Sequence, residues 1–355
     1  YNGLAQSVSG FTASGLVNGE TASVLSGVSA SVSGTNAGIY TNSASGTDAN
    51  YNLTFVAGAL SINKAHLTVT ANNASKTYGD ANPTLSATVS GFVNGQTLAT
   101  SGVTGSGAAT TAATATTGAG SATITAGTGN LAAANYDFTS LVDGTLTINK
   151  AHLTVTANNA SKTYGDANPA LSTSVSGFVN NETLGTSGVT GSGAATTTAT
   201  ASTGAGTAVI SAGAGTFTAA NYDFTNLVNG ALTINKAHLT VTANNASKTY
   251  GDANPALSAS VTGFVNNETL GTSGVTGSGA ATTTATATTG AGSATITAGT
   301  GSLAAANYDF TSFVDGTLTI NKANATVTAS SANVTYTGLA QSVSGFTASG
   351  LVNGE

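Results

Sequence analysis

The 355-residue chain has no cysteine, methionine, tryptophan or arginine, only three prolines, and charged residues at just 6% of its length. Without cysteine there is neither a disulfide framework nor a thiolate metal site, and the compartment stays open on that count. An ordinary soluble domain is about 25% charged. Solubility here must therefore rest on Thr, Ser and Asn side chains. Seven lysines and a formal charge of -6 give no positive field for phosphate, so nucleic acid is excluded as a partner. No apolar run of about 18 residues spans a bilayer and no basic-then-apolar leader is visible, so no membrane insertion is expected in this window.

What the chain does contain is repetition. The segment Ile-Asn-Lys-Ala-His-Leu-Thr-Val-Thr-Ala at Ile62 to Ala71 recurs at Ile148 and Ile234, and in altered form, with Asn324 for the histidine, at Ile320. Counted on Lys64, Lys150, Lys236 and Lys322 the period is 86 residues, the mark of a tandem array. Tyr336 to Glu355 repeats Tyr1 to Glu20 with one change, Thr337 for Asn2. The ends read as cuts through a longer protein whose super-repeat is 335 residues, one 77-residue unit and three 86-residue units. The organisation is then 1–63, a unit lacking its first strand; 64–149, 150–235 and 236–321, three like repeats; and 322–355, the start of the next 77-residue unit, whose residues 322–335 carry the strand that 1–63 lacks.

Each 86-residue unit alternates apolar and hydroxylic residues, as in Leu67 to Ala71, with the period of a strand that has one buried face. Ser75 to Pro83 reads as a turn or corner, Thr84 to Phe92 as a strand, and Asn94 as the cap of one helical turn through Leu98. Two strands with a Gly-rich hairpin are expected over 104–129. A closing pair, Asn135 to Phe138 and Gly144 to Asn149, is expected to be joined by a hairpin turn at Asp143–Gly144. Six or seven short strands per unit predict an all-β fold, a tandem array of small β-sandwich (Ig-like) domains forming an extended rod; β-grasp-like repeat units are the alternative. The junctions have no flexible spacer, and strand lengths give roughly 35–40 Å per unit and a rod of about 140–160 Å.

The 86-residue units resemble MBG domains of the YGX type. The resemblance rests on Leu-Thr-Val-Thr-Ala, Lys-Thr-Tyr-Gly-Asp with its following Pro, Gly-Phe-Val-Asn-Gly, Asn-Tyr-Asp-Phe and Leu-Thr-Ile-Asn-Lys. The 77-residue unit is similar to the sister YDG type, through Val334 to Gly338 and Asn50 to Phe55. The resemblance implies a place in large bacterial surface or secreted proteins of the filamentous-haemagglutinin-like adhesin kind, as a stalk or repeat region, and it implies no catalytic residue.

Candidate site residues are few. His66, His152 and His238 occur once per unit, without a second His or Cys to complete a metal site, so packing at the joint is their expected role, with pH-sensitive stiffening as the sharper alternative. Lys64, Lys150, Lys236, Lys322 and Asn324 stand with them as inter-domain joints. Asp80, Asp137 and Asp143, with their equivalents Asp166, Asp223, Asp252, Asp309 and Asp315, could hold Ca²⁺ near a junction, although their spacing matches no EF-hand loop. Lys76, Lys162 and Lys248 are expected to lay their stems on Tyr78, Tyr164 and Tyr250 with the ammonium near an aspartate. Tyr136 and Phe138, with Tyr222, Phe224, Tyr308 and Phe310, are core residues if alternation holds and a carbohydrate platform if it does not. No serine, histidine and aspartate set or P-loop lysine is present, and no enzyme is expected; no cofactor is expected apart from that calcium. The expected partners are neighbouring repeats of the same polypeptide, with other copies of the chain and host or matrix glycans as further candidates. The expected location is extracellular, at the bacterial surface. A spacer for a binding tip is the favoured function. Multivalent weak glycan or mucin binding and a fibre joined by strand donation are the alternatives.

Overall fold

The computed structural model describes residues 1–355. It is all-β, with one short 3-10 turn at Ala22–Val24 and no α-helix. A β-grasp unit packs a helix on its sheet, so that alternative falls. The chain divides into two compact units. One comprises Tyr1–Leu153, Ser176–Gly191 and Phe217–Thr225, the other Thr154–Val175, Ser192–Thr216 and Asn226–Glu355.

In the repeat 64–149, seven strands form two sheets: β1 Ala65–Ala71, β2 Ala74–Thr77, β3 Ala87–Ser90, β4 Ala108–Thr110, β5 Gly120–Gly127, β6 Tyr136–Val142 and β7 Gly144–Asn149. One sheet has the order β6-β1-β3 and the other β2-β7-β5-β4. Thr, Val, Ile and Leu dominate because β-branched and apolar side chains fit a pleated surface with one dry face. Leu67, Val69 and Ala71 of β1 are buried, as are Leu146 and Ile148 of β7 and Ile124 of β5, while Thr145 and Thr147 face solvent. Each fully buried Leu or Ile contributes about 1.5–3 kcal/mol.

Two pairings are parallel, unlike an immunoglobulin sandwich: β6 lies parallel to β1 and β2 parallel to β7. The cause is local. The chain passes from β1 to β2, and again from β6 to β7, by stepping from one sheet to the other rather than folding back. Asn73 and Asp143 stand at these steps. Asn73 Oδ1 accepts from the Thr145 amide at 2.8 Å, and Asp143 Oδ1 accepts from the Ala126 amide at 2.8 Å. At Gly144 a Cβ would lie 2.5 Å from the Ala71 carbonyl oxygen, so only glycine permits the close crossing. The hairpin expected at Asp143–Gly144 is therefore a corner between sheets.

Two further expectations change. Ser75 begins no turn, because Ala74–Thr77 is a strand paired with β7. Asn94 caps no helix: it sits at φ 51°, and the Gln96 amide donates to the Val93 carbonyl in a tight turn. The strands at 108–110 and 120–127 pair antiparallel, as expected of the Gly-rich stretch.

The four-stranded sheet recurs in repeat 150–235 and both sheets recur in 236–321, where Ala243, Ile296, Leu318 and Ile320 form one buried cluster. Residues 1–63 build two smaller sheets, Gln6–Ser9 with Val28–Gly34 and Ala44–Gly46, and Gly38–Asn42 with Gly58–Ile62.

Candidate functional site

The most elaborate polar constellation recurs wherever one repeat meets the next. In the joint between 64–149 and 150–235, the hydroxyls of Tyr78 and Tyr222 donate to the two oxygens of one carboxylate, Glu182, at 2.5 and 2.6 Å. The tyrosine rings meet edge to face with centroids 5.5 Å apart. Tyr78 belongs to the first repeat, and Glu182 and Tyr222 to the second. The same arrangement joins Tyr164 and Tyr308 to Glu268 at 2.5 and 2.6 Å, with rings again 5.5 Å apart. In the joint with residues 1–63 a glutamine does the work. Gln96 Nε2 donates to the Tyr1 hydroxyl at 2.9 Å, and Gln96 Oε1 accepts from Tyr136 at 2.5 Å. A carboxylate only accepts, whereas the amide accepts at Oε1 and donates at Nε2, so Tyr1 is an acceptor here where Tyr78 and Tyr164 donate.

Backbone close approach seals the joint. Gly165 lies at φ 96°, where a Cβ would fall 2.5 Å from Cγ2 of Val265, and Gly79 meets Val179 in the same way. Asn180 Nδ2 donates to the Ala115 carbonyl and Asn266 Nδ2 to that of Ala201, each at 3.3 Å. Asn221 Oδ1 accepts from the Ala119 amide and Asn307 Oδ1 from that of Ala205, each at 2.9 Å. One buried apolar cluster runs through the later joint, holding Tyr164, Ile210 and Leu232 of one repeat with Leu239, Val241 and Tyr308 of the next.

Tyr222 and Tyr308 are pushed up to about 12, first by burial and then by donating to a carboxylate. Tyr78 and Tyr164 are also raised, chiefly by the bonds to Glu182 and Glu268. Charge on a phenol would remove the donor and place two anions together, so the joint holds its tyrosines neutral.

The other candidates have local partners. Lys64, Lys150 and Lys236 donate to the carbonyls of Ala133, Ala219 and Ala305 within the repeat each one opens. His66, His152 and His238 do not pack: His66 is 72% exposed, and its Nδ1 meets Asp137 Oδ1 at 2.6 Å across the parallel β1–β6 pair. His152 and His238 meet Asp223 and Asp309 at 2.7 and 2.5 Å. The His66 bond is the main cause lowering Asp137; at Asp223 burial acts upward, but the bonds to His152 and Thr225 outweigh it. These residues fasten the opening strand of their own repeat. Lys322 lines a surface pocket with Tyr250 and Glu355, and Asn324 continues the histidine position.

The aspartates do not converge. Asp80 accepts from the Thr77 amide, Asp137 pairs with His66 and Asp143 caps Ala126, and no group of three or more His, Asp or Glu side chains is placed to hold a metal ion. Lys76 is 7% exposed, yet its ammonium reaches carbonyls rather than a carboxylate, Asp80 at 3.1 Å and Thr114 at 2.6 Å. Tyr136, Tyr222 and Tyr308 are each 1% exposed, which removes them from any carbohydrate platform.

The tyrosine and carboxylate joint escaped the sequence reading, which placed Tyr78 in an irregular corner. One signal was present: in a chain with 13 acidic residues, Glu182 and Glu268 fall at one repeat position, and the single substitute there, Gln96, is the residue that can still bridge two hydroxyls.

The fold and its joints define a tandem array of small two-sheet β repeats joined through tyrosines, a glutamate or glutamine between them, and a glycine at close approach. The chain belongs to the MBG domain (YGX type) family, whose model matches residues 1–61, 67–147, 153–233 and 239–319. That model covers 1–61 as well, the unit that by sequence resembled the YDG type. These are structural repeat domains, typical of adhesin-like surface proteins. No curated protein matches the chain.

Proposed function

We propose that this chain is a stiff spacer in a large bacterial adhesin-like surface or secreted protein, carrying a binding tip away from the cell for attachment or biofilm formation. The observation that carries the reading is the joint. Each repeat uses its signature tyrosine and glycine, and Gln96, Glu182 or Glu268 at one shared position, to hold its neighbour, and no Gly/Ser linker intervenes. Such a junction resists bending, as a spacer requires. No catalytic step is assigned, and the location is extracellular. Glycan binding by the repeats themselves would call for exposed aromatic platforms, and Tyr78, Tyr136, Tyr164, Tyr222 and Tyr308 are all buried.

Solution scattering on the chain tests the spacer. A rod of about 140–160 Å has a radius of gyration of about 40–45 Å. A compact globule of this length has about 20 Å. The larger value is expected, and a value near the smaller one overturns the reading. A glycan array giving saturable binding by the isolated repeats would establish the multivalent alternative instead.

A further inference from the structure

The two parallel ladders lie on the path by which tension crosses a repeat. A stalk held at one end and loaded at the other pulls each repeat through its first and last strands, here β1 and β7. These strands lie in different sheets, and each is central in its own, β1 between β6 and β3 and β7 between β2 and β5. Neither can be stripped from an edge. No loose linker absorbs the pull, because β7 ends at Asn149 and the next strand opens at Ala151, with Lys150 alone between them.

The neighbours of these two strands decide how the load falls. β1 runs parallel to β6 over five residue pairs, Ala65↔Tyr136 to Thr70↔Val142, and β6 leads through Asp143 into β7. β2 runs parallel to β7 over four pairs, Ala74↔Leu146 to Thr77↔Asn149, and β2 follows directly on β1. Each ladder therefore ties a strand drawn toward the start of the chain to a strand drawn toward its end. Parallel strands pulled this way slide along each other, so the evenly spaced hydrogen bonds between them are strained together and must fail together. A hairpin pulled at its two free ends opens one bond after another.

Both ends of the path are fastened further. At the entry the Ala65 amide donates to the Asn135 carbonyl at 3.0 Å and Lys64 Nζ to that of Ala133 at 2.9 Å. The β1–β6 register shifts between Asp137 and Ser140, and beside this shift His66 Nδ1 meets Asp137 Oδ1 at 2.6 Å while Thr139 Oγ1 donates to the same oxygen at 3.2 Å. At the exit the Tyr78 amide donates to the Asn149 carbonyl at 2.8 Å, which carries the β2–β7 ladder one residue further. The geometry recurs in 236–321. There Ala237–Ala243 runs parallel to Tyr308–Val314 and Ala246–Thr249 to Gly316–Asn321, with His238 set against Asp309 and the Tyr250 amide donating to the Asn321 carbonyl.

We propose that each repeat is a tension clamp, in which two parallel ladders, one in each sheet, bear load along the chain in shear and keep the repeat folded under pulls that open it easily from the side. The proposal rests on the spacer reading only for the direction of the load. It adds a property that stiffness does not give, because a rod can resist bending and still come apart when stretched.

The test is single-molecule force spectroscopy on the 355-residue chain at one loading rate, with the molecule held in two ways. Held by its two ends, the chain loads each 86-residue repeat along β1 and β7, and a repeat that opens frees about 300 Å of extended chain. Because the chain has no cysteine, Ser90→Cys with Thr123→Cys supplies two handles on exposed residues of β3 and β5, in opposite sheets, and the pull then crosses repeat 64–149 from side to side. Thr88→Cys with Thr145→Cys gives a second crossing pair, on exposed residues of β3 and β7. End-held repeats are expected to open at several-fold higher force than the side-held repeat, and each double variant held by its ends is expected to match the wild type. Equal forces in the two directions, or a weaker repeat when held by the ends, overturn the proposal. The clamp and the spacer fail separately. A chain compact in scattering that still holds under end load sinks the spacer alone, and a rod whose repeats open as easily end to end as side to side sinks the clamp alone.

Discussion

Replacing Glu268 by alanine leaves two phenols, Tyr164 and Tyr308, without the acceptor they share across the joint. Both are buried, at 3% and 1% exposure, so water cannot stand in freely. A hydrogen bond to a charged group is worth about 1.5–3 kcal/mol, which places the loss at about 3–6 kcal/mol. Glutamine is the informative comparison, because Gln96 already bridges Tyr1 and Tyr136 at the equivalent place. Glu268→Gln leaves one acceptor and puts a donor in place of the other, so both tyrosines stay bonded once one of them turns to accept, and the loss is chiefly the charge assistance, about 1–2 kcal/mol. For a cooperative unit of about 150–250 residues each kcal/mol moves the melting temperature by roughly 2–4 °C. Scanning calorimetry should show a fall of roughly 6–24 °C for alanine and 2–8 °C for glutamine. Hydrogen exchange should place the loss at the faces around Tyr164 and Tyr308. The account of the joint is refuted if alanine proves no worse than glutamine, or if neither variant moves the transition.

Gly165→Ala should open the same joint by a different route: a methyl at φ 96° is strained and would fall 2.5 Å from Val265 Cγ2, for a combined loss of about 2–5 kcal/mol by denaturant unfolding. Because Val265 Cβ itself would lie 2.6 Å from that methyl, only Val265→Gly in the same chain should restore the part owed to the clash, measured against Val265→Gly alone, and leave the backbone strain; no rescue would mean that the valine contact is not the obstacle. Stability should also fall in alkali. Tyr222 and Tyr308 ionise near 10.0 when unfolded and at about 12 when folded, so their contribution is complete below pH 10 and lost as pH rises to 12. The loss is roughly 3 kcal/mol for each. A denaturation midpoint that stays flat through that window would contradict the raised values.

The period, the strand-rich composition and the burial of Leu67, Val69, Leu146 and Ile148 were legible in the sequence, because alternation with period two is a local property of the chain. Local signals also placed a turn at Gly79 and a break at Asp143. They could not say which sheet the chain enters after such a break. Asp143–Gly144 has the composition of a hairpin turn, yet it carries β6 into β7 of the other sheet, because Gly144 can lie against the Ala71 carbonyl brought there by β1. The joint was hidden for the same reason: Tyr78 and Glu182 are 104 residues apart and belong to different repeats.

By itself, then, the sequence determined the repeat, its all-β character and which faces of its strands are dry, since these follow from the order of apolar and hydroxylic residues. Tertiary structure alone decided the parallel pairings, the exposed pairing of His66 with Asp137, and the use of Glu182 and Glu268 as shared acceptors. Each of these depends on which distant backbone segment arrives beside a residue, and hydrogen bonding at 2.5–3.3 Å is settled by that arrival.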